Sequence, residues 1–162
     1  MIMSITIRQA DYSDPADAAA LVDMLDAYAR DPMGGGKPLS AHTRDHLAAE
    51  LATRPHAVSF LAFDDGAPAG VLNAFEGFST FACKPLLNVH DIAVHADHRG
   101  KGIGRMLLDA VEAEARRRGC CKLTLEVLSG NTRARSVYEA AGYAAYELDP
   151  EKGQAMFLEK PL

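Results

Sequence analysis

The sequence has few cysteines, no long apolar run and no excess of basic residues, and each shortage narrows what the protein can be. Its 162 residues include only Cys83, Cys120 and Cys121. Because that number is odd and two of them are adjacent, no disulfide framework is predicted and a reducing compartment is expected. No stretch reaches the roughly 18 apolar residues of a membrane span, and residues 1–10 lack a signal peptide's apolar core. A soluble, cytoplasmic protein is therefore expected.

The charge balance and the overall composition set further bounds. A formal net charge of -5 argues against nucleic acid and anionic membranes as partners. Hydrophobic residues make up 48% and charged residues 24% of the chain, which is ordinary for a globular protein. A chain of this length can build a core without disulfides or metals, and it shows no internal repeat. One domain spanning residues 1–162 is predicted.

Hydrophobic periodicity, together with capping and turn residues, predicts an alternation of strands and helices. Strands are predicted at 5–8, 58–63, 69–78, 86–94, 122–128, 143–148 and 155–159, and helices at 15–30, 41–53, 102–118 and 132–141. The order β-α-α-β-β-β-α-β-α-β-β predicts an α/β fold: an α+β mixed sheet of six to seven strands with helices on both faces.

The most informative motif is Arg99-Gly100-Lys101-Gly102-Ile103-Gly104, placed between a strand and the longest amphipathic helix. Glycines let backbone N–H groups converge on a ligand without a Cβ in the way, and a helix N-terminus adds partial positive charge. Arg99, Lys101 and Arg105 add full charges. The motif predicts a pyrophosphate cradle.

Two other phosphate-binding motifs are not matched, one because of its spacing and the other because of a residue type. A dinucleotide fingerprint needs G-x-G-x-x-G, but the third glycine would fall on Arg105 or on Leu107. In the second glycine-rich stretch, Gly34 to Gly36, Lys37 is followed by Pro38 rather than by Ser or Thr, so this stretch is interpreted as a flexible connection or lid. A nicotinamide-dependent oxidoreductase is therefore disfavoured.

The segments 89–94, 99–104 and 131–142 together resemble the GNAT superfamily of acetyl-CoA-dependent N-acetyltransferases. The pattern Arg-x-x-Gly-x-Gly/Ala is matched by Arg99, Gly102 and Gly104. The later helix with Asn and Tyr is matched by Asn131 and Tyr138. The resemblance of element order covers nearly the whole chain, whereas the specific motifs cover residues 87–143.

This resemblance implies a coenzyme site. The loop would hold the pyrophosphate of acetyl-CoA, the strand ending at Val94 would splay from its neighbour, and the amide of Ile92 would polarise the acetyl carbonyl. The residues assigned to the coenzyme are Ile92, Ala93, Val94, Arg99, Gly100, Lys101, Gly102, Ile103, Gly104, Arg105, Asn131 and Tyr138.

The resemblance also suggests the acid and the base. Tyr138 would give a proton to the departing CoA thiolate, since a phenol is protonated at neutral pH. The segment around residue 90 resembles spermidine/spermine acetyltransferases but carries His90 where they have Glu, so His90 is a possible base and a polyamine acceptor is in doubt. Strand alternation predicts that His90 shares a face with Ile92, and that Asp91 is a structural residue on the opposite face.

The resemblance implies a substrate pocket between the first two helices and the loop that joins the third and fourth strands. Aromatic residues with a carboxylate at that place would suit a small cationic amine. The residues assigned to this substrate are Tyr28, Asp31, Glu76, Phe78 and Phe81. No metal site is predicted, because His42 and His46 lack a third ligand. The expected function is acetyl transfer from acetyl-CoA to a primary amine, and the resemblance implies a homodimer. A non-catalytic acyl-CoA-binding module, or a transferase acting on a protein N-terminus or lysine, stays open as an alternative.

Overall fold

The computed structural model describes residues 4–162. The described residues form two compact units, the first ending at Leu125 and the second covering Glu126–Leu162. No helix among the described residues is long and apolar enough to cross a membrane.

A five-stranded mixed sheet forms the first unit. Its strands are β1 (Ile5–Gln9), β2 (Ala57–Asp64), β3 (Ala67–Ser79), β4 (Lys84–Val94) and β5 (Leu123–Leu125), and they lie in this order across the sheet. The first four pair antiparallel, whereas β5 pairs parallel with β4. The predicted mixed sheet is confirmed.

The helices begin and end close to the predicted positions. They are α1 (Pro15–Arg30), α2 (Ala41–Ala52) and α3 (Ile103–Arg117) in the first unit, and α4 (Thr132–Ala140) in the second. Short 3-10 turns follow α1 (Pro32–Gly34) and β4 (Ala96–His98). The start of α1 is predictable from the sequence. The Asp14 side chain accepts hydrogen bonds from the N–H groups of Ala16 and Asp17, and Pro15 has no N–H that would need a partner.

The two faces of the sheet are covered by different helices, as predicted. Leu61 and Val71 face α1, where they pack with the buried Leu21. On the other face, a Cβ placed on Gly70 would lie within 3.4 Å of Ile103 and Leu107 of α3, so this glycine is what lets α3 approach the sheet closely. The face towards α1 is called the α1 face below, and the other the α3 face.

The last two predicted strands, 143–148 and 155–159, are wrong. The second unit contains α4, a 3-10 turn (Pro150–Lys152) and one isolated bridge, Glu147 with Gln154. A segment with alternating side chains forms a strand only where a neighbouring strand supplies the ladder hydrogen bonds. These two segments meet mainly at that bridge and leave Tyr146, Leu148 and Phe157 exposed. The sheet therefore has five strands instead of six to seven.

An ion cluster at the end of α3 yields a prediction about stability. Glu114 is 7% exposed and accepts hydrogen bonds from Arg117 at 2.7 Å and from Arg118 at 2.6 Å. The hydrogen bond from Arg117, with help from Arg118, lowers the pKa of Glu114 from 4.5 to about 2. Between these two values the unfolded chain binds more protons than the folded protein, so the stabilisation is present above pH 4.5 and is lost as the pH falls towards 2.

We expect Glu114→Gln to lower the unfolding free energy at pH 7 by about 2 kcal/mol, and to flatten its decline over that acid range. Urea unfolding at several pH values measures both effects. Glu112→Gln is the matched control, because Glu112 lies on the same helix and pairs with Arg116 on the exposed surface. An equal loss in the two variants would contradict this account of Glu114.

Candidate functional site

The loop before α3 has the backbone shape of an anion cradle. Gly100 and Gly102 have φ values of 80° and 81°, which side chains with a Cβ rarely adopt. No atom lies within 4 Å of where their Cβ atoms would be, so the space beside the backbone is open. Gly102 caps α3 without a side chain, and the amides of Ile103 and Gly104 have no carbonyl partner one turn earlier in the helix. These amides can hold phosphate oxygens.

The three cations of the loop are held by carboxylates. Arg99 donates to Asp31 at 3.0 Å and to the Val94 carbonyl at 3.1 Å. Arg105 pairs with Asp109 one turn further along α3 at 2.8 Å. Each of the three side-chain charges is therefore already paired with a carboxylate, and their assignment to a phosphate stays a prediction.

Lys101 differs most from its expected role. Its Nζ lies 2.6 Å from Asp64 at the end of β2, and His98 Nδ1 lies 2.8 Å from the same carboxylate oxygen. Asp64 is buried, and the hydrogen bonds from Lys101 and His98 lower its pKa. The charge of Lys101 thus fixes the loop to the sheet.

The β4–β5 ladder ends well before β4 does, which is the arrangement that the predicted splay requires. The β4–β5 ladder joins Leu87–Val89 to Leu123–Leu125, whereas β4 continues to Val94. The His95 amide donates to the Ala69 carbonyl of β3. Because antiparallel strands alternate their hydrogen-bonding direction, the amides and carbonyls of Ile92 and Val94 point away from β3, to the side where the β5 ladder has ended. The Val94 carbonyl accepts from Arg99, and an extended ligand could pair with the other three groups as a further strand would.

A β-bulge at His90 overturns the expected orientation of two side chains. Ala74 pairs with Val89 and Asn73 with Asp91, so His90 and Asp91 together oppose one residue of β3. Such a bulge turns neighbouring side chains to one face. The His90 ring packs edge-on against Phe75, 5.5 Å between ring centres, and Phe75 packs into the core below α1. His90 therefore lies on the α1 face with Asp91, whereas Ile92 lies on the α3 face beside Leu72.

Of the predicted substrate residues, Tyr28 and Asp31 lie together at the end of α1. Burial raises the pKa of Tyr28, and the negative charges of Asp91 and Asp31 raise it further, so Tyr28 lies near the bulge. The backbone N–H of Met33 and the guanidinium of Arg99 lower the pKa of Asp31. The turn is tight at Gly34, where a Cβ would overlap the Tyr28 carbonyl oxygen.

The other three predicted substrate residues do not join this group, and their grouping with it is wrong. Glu76 lies on the α3 face and is ion-paired to Arg118 at 2.9 Å. Phe78 follows it by two residues on the same face and is 59% exposed. Phe81 lies at the β3–β4 turn with its side chain fully exposed. All three were assigned because they lie in or close to the β3–β4 turn in the sequence. Alternation along β3 places Glu76 and Phe78 on the face opposite α1.

The second unit holds Asn131 and Tyr138. Asn131 caps α4, as predicted, by accepting a hydrogen bond from the Ala134 amide at 3.2 Å. Tyr138 lies on the same helix seven residues later, and its ring centre is 6.2 Å from that of Tyr143. Their assignment to the coenzyme stays a prediction.

Three residues around His90 were not assigned to the site from the sequence: Asp91, Phe75 and His56. The Phe75 ring centre lies 6.0 Å from that of His56 and 5.5 Å from that of His90. A bulge has no residue signature in this segment, so strict alternation was the only available guide, and it placed Asp91 on the wrong face relative to His90.

Comparison with known proteins now identifies the family. The model of the Acetyltransferase (GNAT) family matches residues 18–143. The uncharacterized N-acetyltransferase YhfO of Bacillus subtilis (strain 168) is 31% identical over 142 residues, 86% of this chain and 89% of that protein. The chain belongs to the GNAT acetyltransferase family and is an N-acetyltransferase, so the oxidoreductase and non-catalytic alternatives are set aside.

Two further proteins show the range of acceptors among similar chains. Aminoglycoside N(6')-acetyltransferase type 1 of Salmonella typhimurium (strain LT2) is 26% identical over 115 residues, 69% of this chain and 78% of that one. The crystal structure of ribosomal-protein-alanine N-acetyltransferase from Brucella melitensis biovar Abortus 2308 has a TM-score of 0.74 and 25% identity, covering 90% of this chain and 96% of that chain.

The geometry of this chain fits acetyl-CoA, the acetyl donor of GNAT enzymes. Open space beside Gly100 and Gly102 leaves room for a diphosphate against the amides of α3. The Ile92 amide and carbonyl and the Val94 amide, which lie beyond the end of the β4–β5 ladder, suit the amide-containing pantetheine arm.

This fit leads to a prediction about Gly102→Ala. The added Cβ imposes strain at φ 81° and fills the space where the phosphates would lie. We expect CoA affinity, measured by calorimetry, to fall about tenfold or more, the size of losing one charge-assisted hydrogen bond. Gly119→Ala is the control, since Gly119 has φ 71° and equally open surroundings beyond the far end of α3. If both variants lost CoA affinity equally, strain rather than the cradle would be responsible.

Proposed function

We propose that this enzyme transfers the acetyl group of acetyl-CoA to a primary amine of a small, cationic molecule by direct attack of the amine. The observation that carries the proposal is the β4 strand, which loses its β5 partner after Val89 where the bulge turns His90 and Asp91 towards α1. One stretch of chain thus offers backbone donors for a thioester and ionisable side chains for an amine.

The first catalytic contribution is electrostatic. Acetyl-CoA supplies the acetyl group as an activated thioester. The Ile92 N–H donates to the acetyl oxygen, which gains negative charge as the amine nitrogen approaches. Because this donor is part of a paired strand, it is already oriented and needs little reorganisation during the reaction.

Two side chains handle the protons. The neutral amine is the nucleophile, so the bound ammonium group first releases one proton to solvent. His90, directly or through a water molecule, takes a second proton from the nitrogen as it attacks, and Tyr138 gives its phenolic proton to the leaving sulfur. The C–N bond forms as the C–S bond breaks, so the products are the acetylated amine and the CoA thiol. His90 and Tyr138 then return to their starting forms by proton exchange with solvent.

A cationic acceptor is favoured by the charges near α1. Asp91 lies on the α1 face, and the aromatic Tyr28 and Phe75 lie near it. An ammonium group suits a carboxylate flanked by aromatic rings. The similarity to an aminoglycoside acetyltransferase supports the same class. The single catalytic domain, the homodimer and the cytoplasmic location stay predictions.

The test is an acceptor panel with the full chain and acetyl-CoA, following release of the CoA thiol. The panel holds aminoglycosides, polyamines, amino acids and peptides with free N-termini or lysines. We expect the highest kcat/KM for small molecules with several amines. Thiol release only with peptides would replace this proposal by a protein acetyltransferase, and no release with any amine would overturn it.

A further inference from the structure

A line of polar side chains crosses the α1 face of the sheet and ends at the bulge. The Tyr12 hydroxyl lies 2.8 Å from Ser59 Oγ, Ser59 Oγ donates to Asn73 Oδ1 at 2.6 Å, and Asn73 Nδ2 donates to Asp91 Oδ2 at 3.0 Å. Tyr12 lies between β1 and α1, and the other three residues lie on β2, β3 and β4. We call these four residues the polar chain.

The chemistry of the groups fixes the direction of every hydrogen bond. The Asn73 amide oxygen can only accept, so Ser59 gives it its single hydrogen. Ser59 must then accept from Tyr12, and the Asn73 amide nitrogen donates to the carboxylate. All hydrogens therefore point towards Asp91, which is the terminal acceptor.

Buried polar side chains destabilise the fold unless each of them has a hydrogen-bond partner. Ser59 is 1% exposed and Asn73 is 4% exposed. Apolar residues of similar size would pack on a sheet face without needing partners. The β2–β3 and β3–β4 ladders hold the strands through their backbones, so the polar chain adds control over one carboxylate rather than strand pairing.

The residues around Asp91 include several ionisable groups. Tyr28 comes from α1, and Asp31 follows α1 with Arg99 as its partner. His90 lies beside Asp91 on β4, and the rings of His90 and His56 both contact the Phe75 ring. Tyr12 closes the far end of the polar chain.

We propose that Asn73 is a positioning residue for acetyl transfer: fixed by Ser59 and Tyr12, its N–H holds the Asp91 carboxylate as the anionic group that receives the ammonium form of the acceptor. This inference rests on the proposed function, since it needs a cationic amine as the second substrate. It assigns to Asp91 a role in the site, in place of the structural role expected from the sequence.

The first experiment is Asn73→Asp in the full chain. The new carboxylate would lie next to Asp91, and two carboxylates at hydrogen-bond distance retain one proton to higher pH. We expect the acid limb of the kcat/KM profile for the amine to move up by about one pH unit or more, with the KM for acetyl-CoA unchanged. Asn88→Asp is the matched control, because Asn88 is a second side-chain amide of the same sheet, and it bonds across the β4–β5 ladder to the Thr124 hydroxyl at 3.0 Å.

The second experiment separates the effect of moving the negative charge from the effect of disturbing the packing around it. In the double variant Asn73→Asp, Asp91→Asn the amide and the carboxylate exchange places, so the polar chain can keep its hydrogen bonds and the fold its stability. The negative charge then lies one strand further from the bulge. We expect the thermal stability to recover towards the wild type, while the KM for the amine stays raised about tenfold or more.

A third measurement needs no acceptor. Carbon-13 NMR of the aspartate carboxyls follows the titration of Asp91 directly, and it should move to higher pH in Asn73→Asp but not in Asn88→Asp. Wild-type activity on cationic amines combined with unchanged pH profiles and unchanged titration would overturn the role of Asn73. Inactivity of the wild type on every amine would overturn the proposed function instead, and the NMR result would still decide whether Asn73 controls Asp91.

Discussion

Replacing Tyr138 by Phe is expected to lower kcat by about 100-fold or more. The change removes one oxygen atom and keeps the ring, so packing in the second unit is preserved. Without the phenol, the CoA sulfur must leave as a thiolate or take its proton from water. If the hydroxyl acts only in that step, CoA affinity should change by no more than about threefold, the loss of one neutral hydrogen bond.

Steady-state kinetics and CoA calorimetry on the same preparation test this assignment. Tyr146→Phe is the control, because Tyr146 belongs to the same unit and its side chain is exposed. We expect normal turnover for that variant. Turnover of Tyr138→Phe equal to wild type at neutral and alkaline pH would show that another group protonates the sulfur.

A comparable loss is expected for Ile92→Pro, which removes the backbone N–H assigned to the acetyl oxygen. Loss of one such donor typically lowers kcat by about 100- to 1000-fold. Proline is tolerated on a strand where the N–H faces away from the ladder, and the Ile92 amide points away from β3. The variant should therefore fold, which circular dichroism and thermal unfolding would verify.

Ile92→Val is the control for this experiment, because it shortens the side chain on the α3 face and keeps the N–H. We expect its kcat to stay within about threefold of wild type, consistent with the modest cost of removing one methylene. A folded Ile92→Pro enzyme that retains wild-type kcat would place the oxyanion donor elsewhere on the chain.

Much of the fold was predictable because local signals and the tertiary structure agree. The Asp14-Pro15 start of α1 and the Asp65-Gly66 turn between β2 and β3 satisfy backbone requirements at those positions, including φ values of 49° and 85° in the turn. The glycine loop before α3 was predictable for the same reason, since only glycine readily adopts the conformations at residues 100 and 102.

The errors arise where structure depends on partners distant in sequence. Residues 143–148 alternate like a strand, but whether a neighbour supplies hydrogen bonds cannot be inferred from the segment itself. The ion pair between Lys101 and Asp64, 37 positions earlier, was not predicted, because Lys101 was interpreted from its place in the loop alone. The bulge at His90 depends on the register between β3 and β4, and a shift of one residue reverses side-chain faces.

The overlap that a Cβ at Gly34 would create with the Tyr28 carbonyl sets a rule for engineering acceptor range. Under the proposed function, randomising the turn after α1 would vary the surroundings of the acceptor amine. Any side chain at position 34 would push the Tyr28 peptide aside and carry Asp31 with it. Libraries should therefore keep this glycine and vary its exposed neighbour Met33, so that selectivity changes without displacing the helix end.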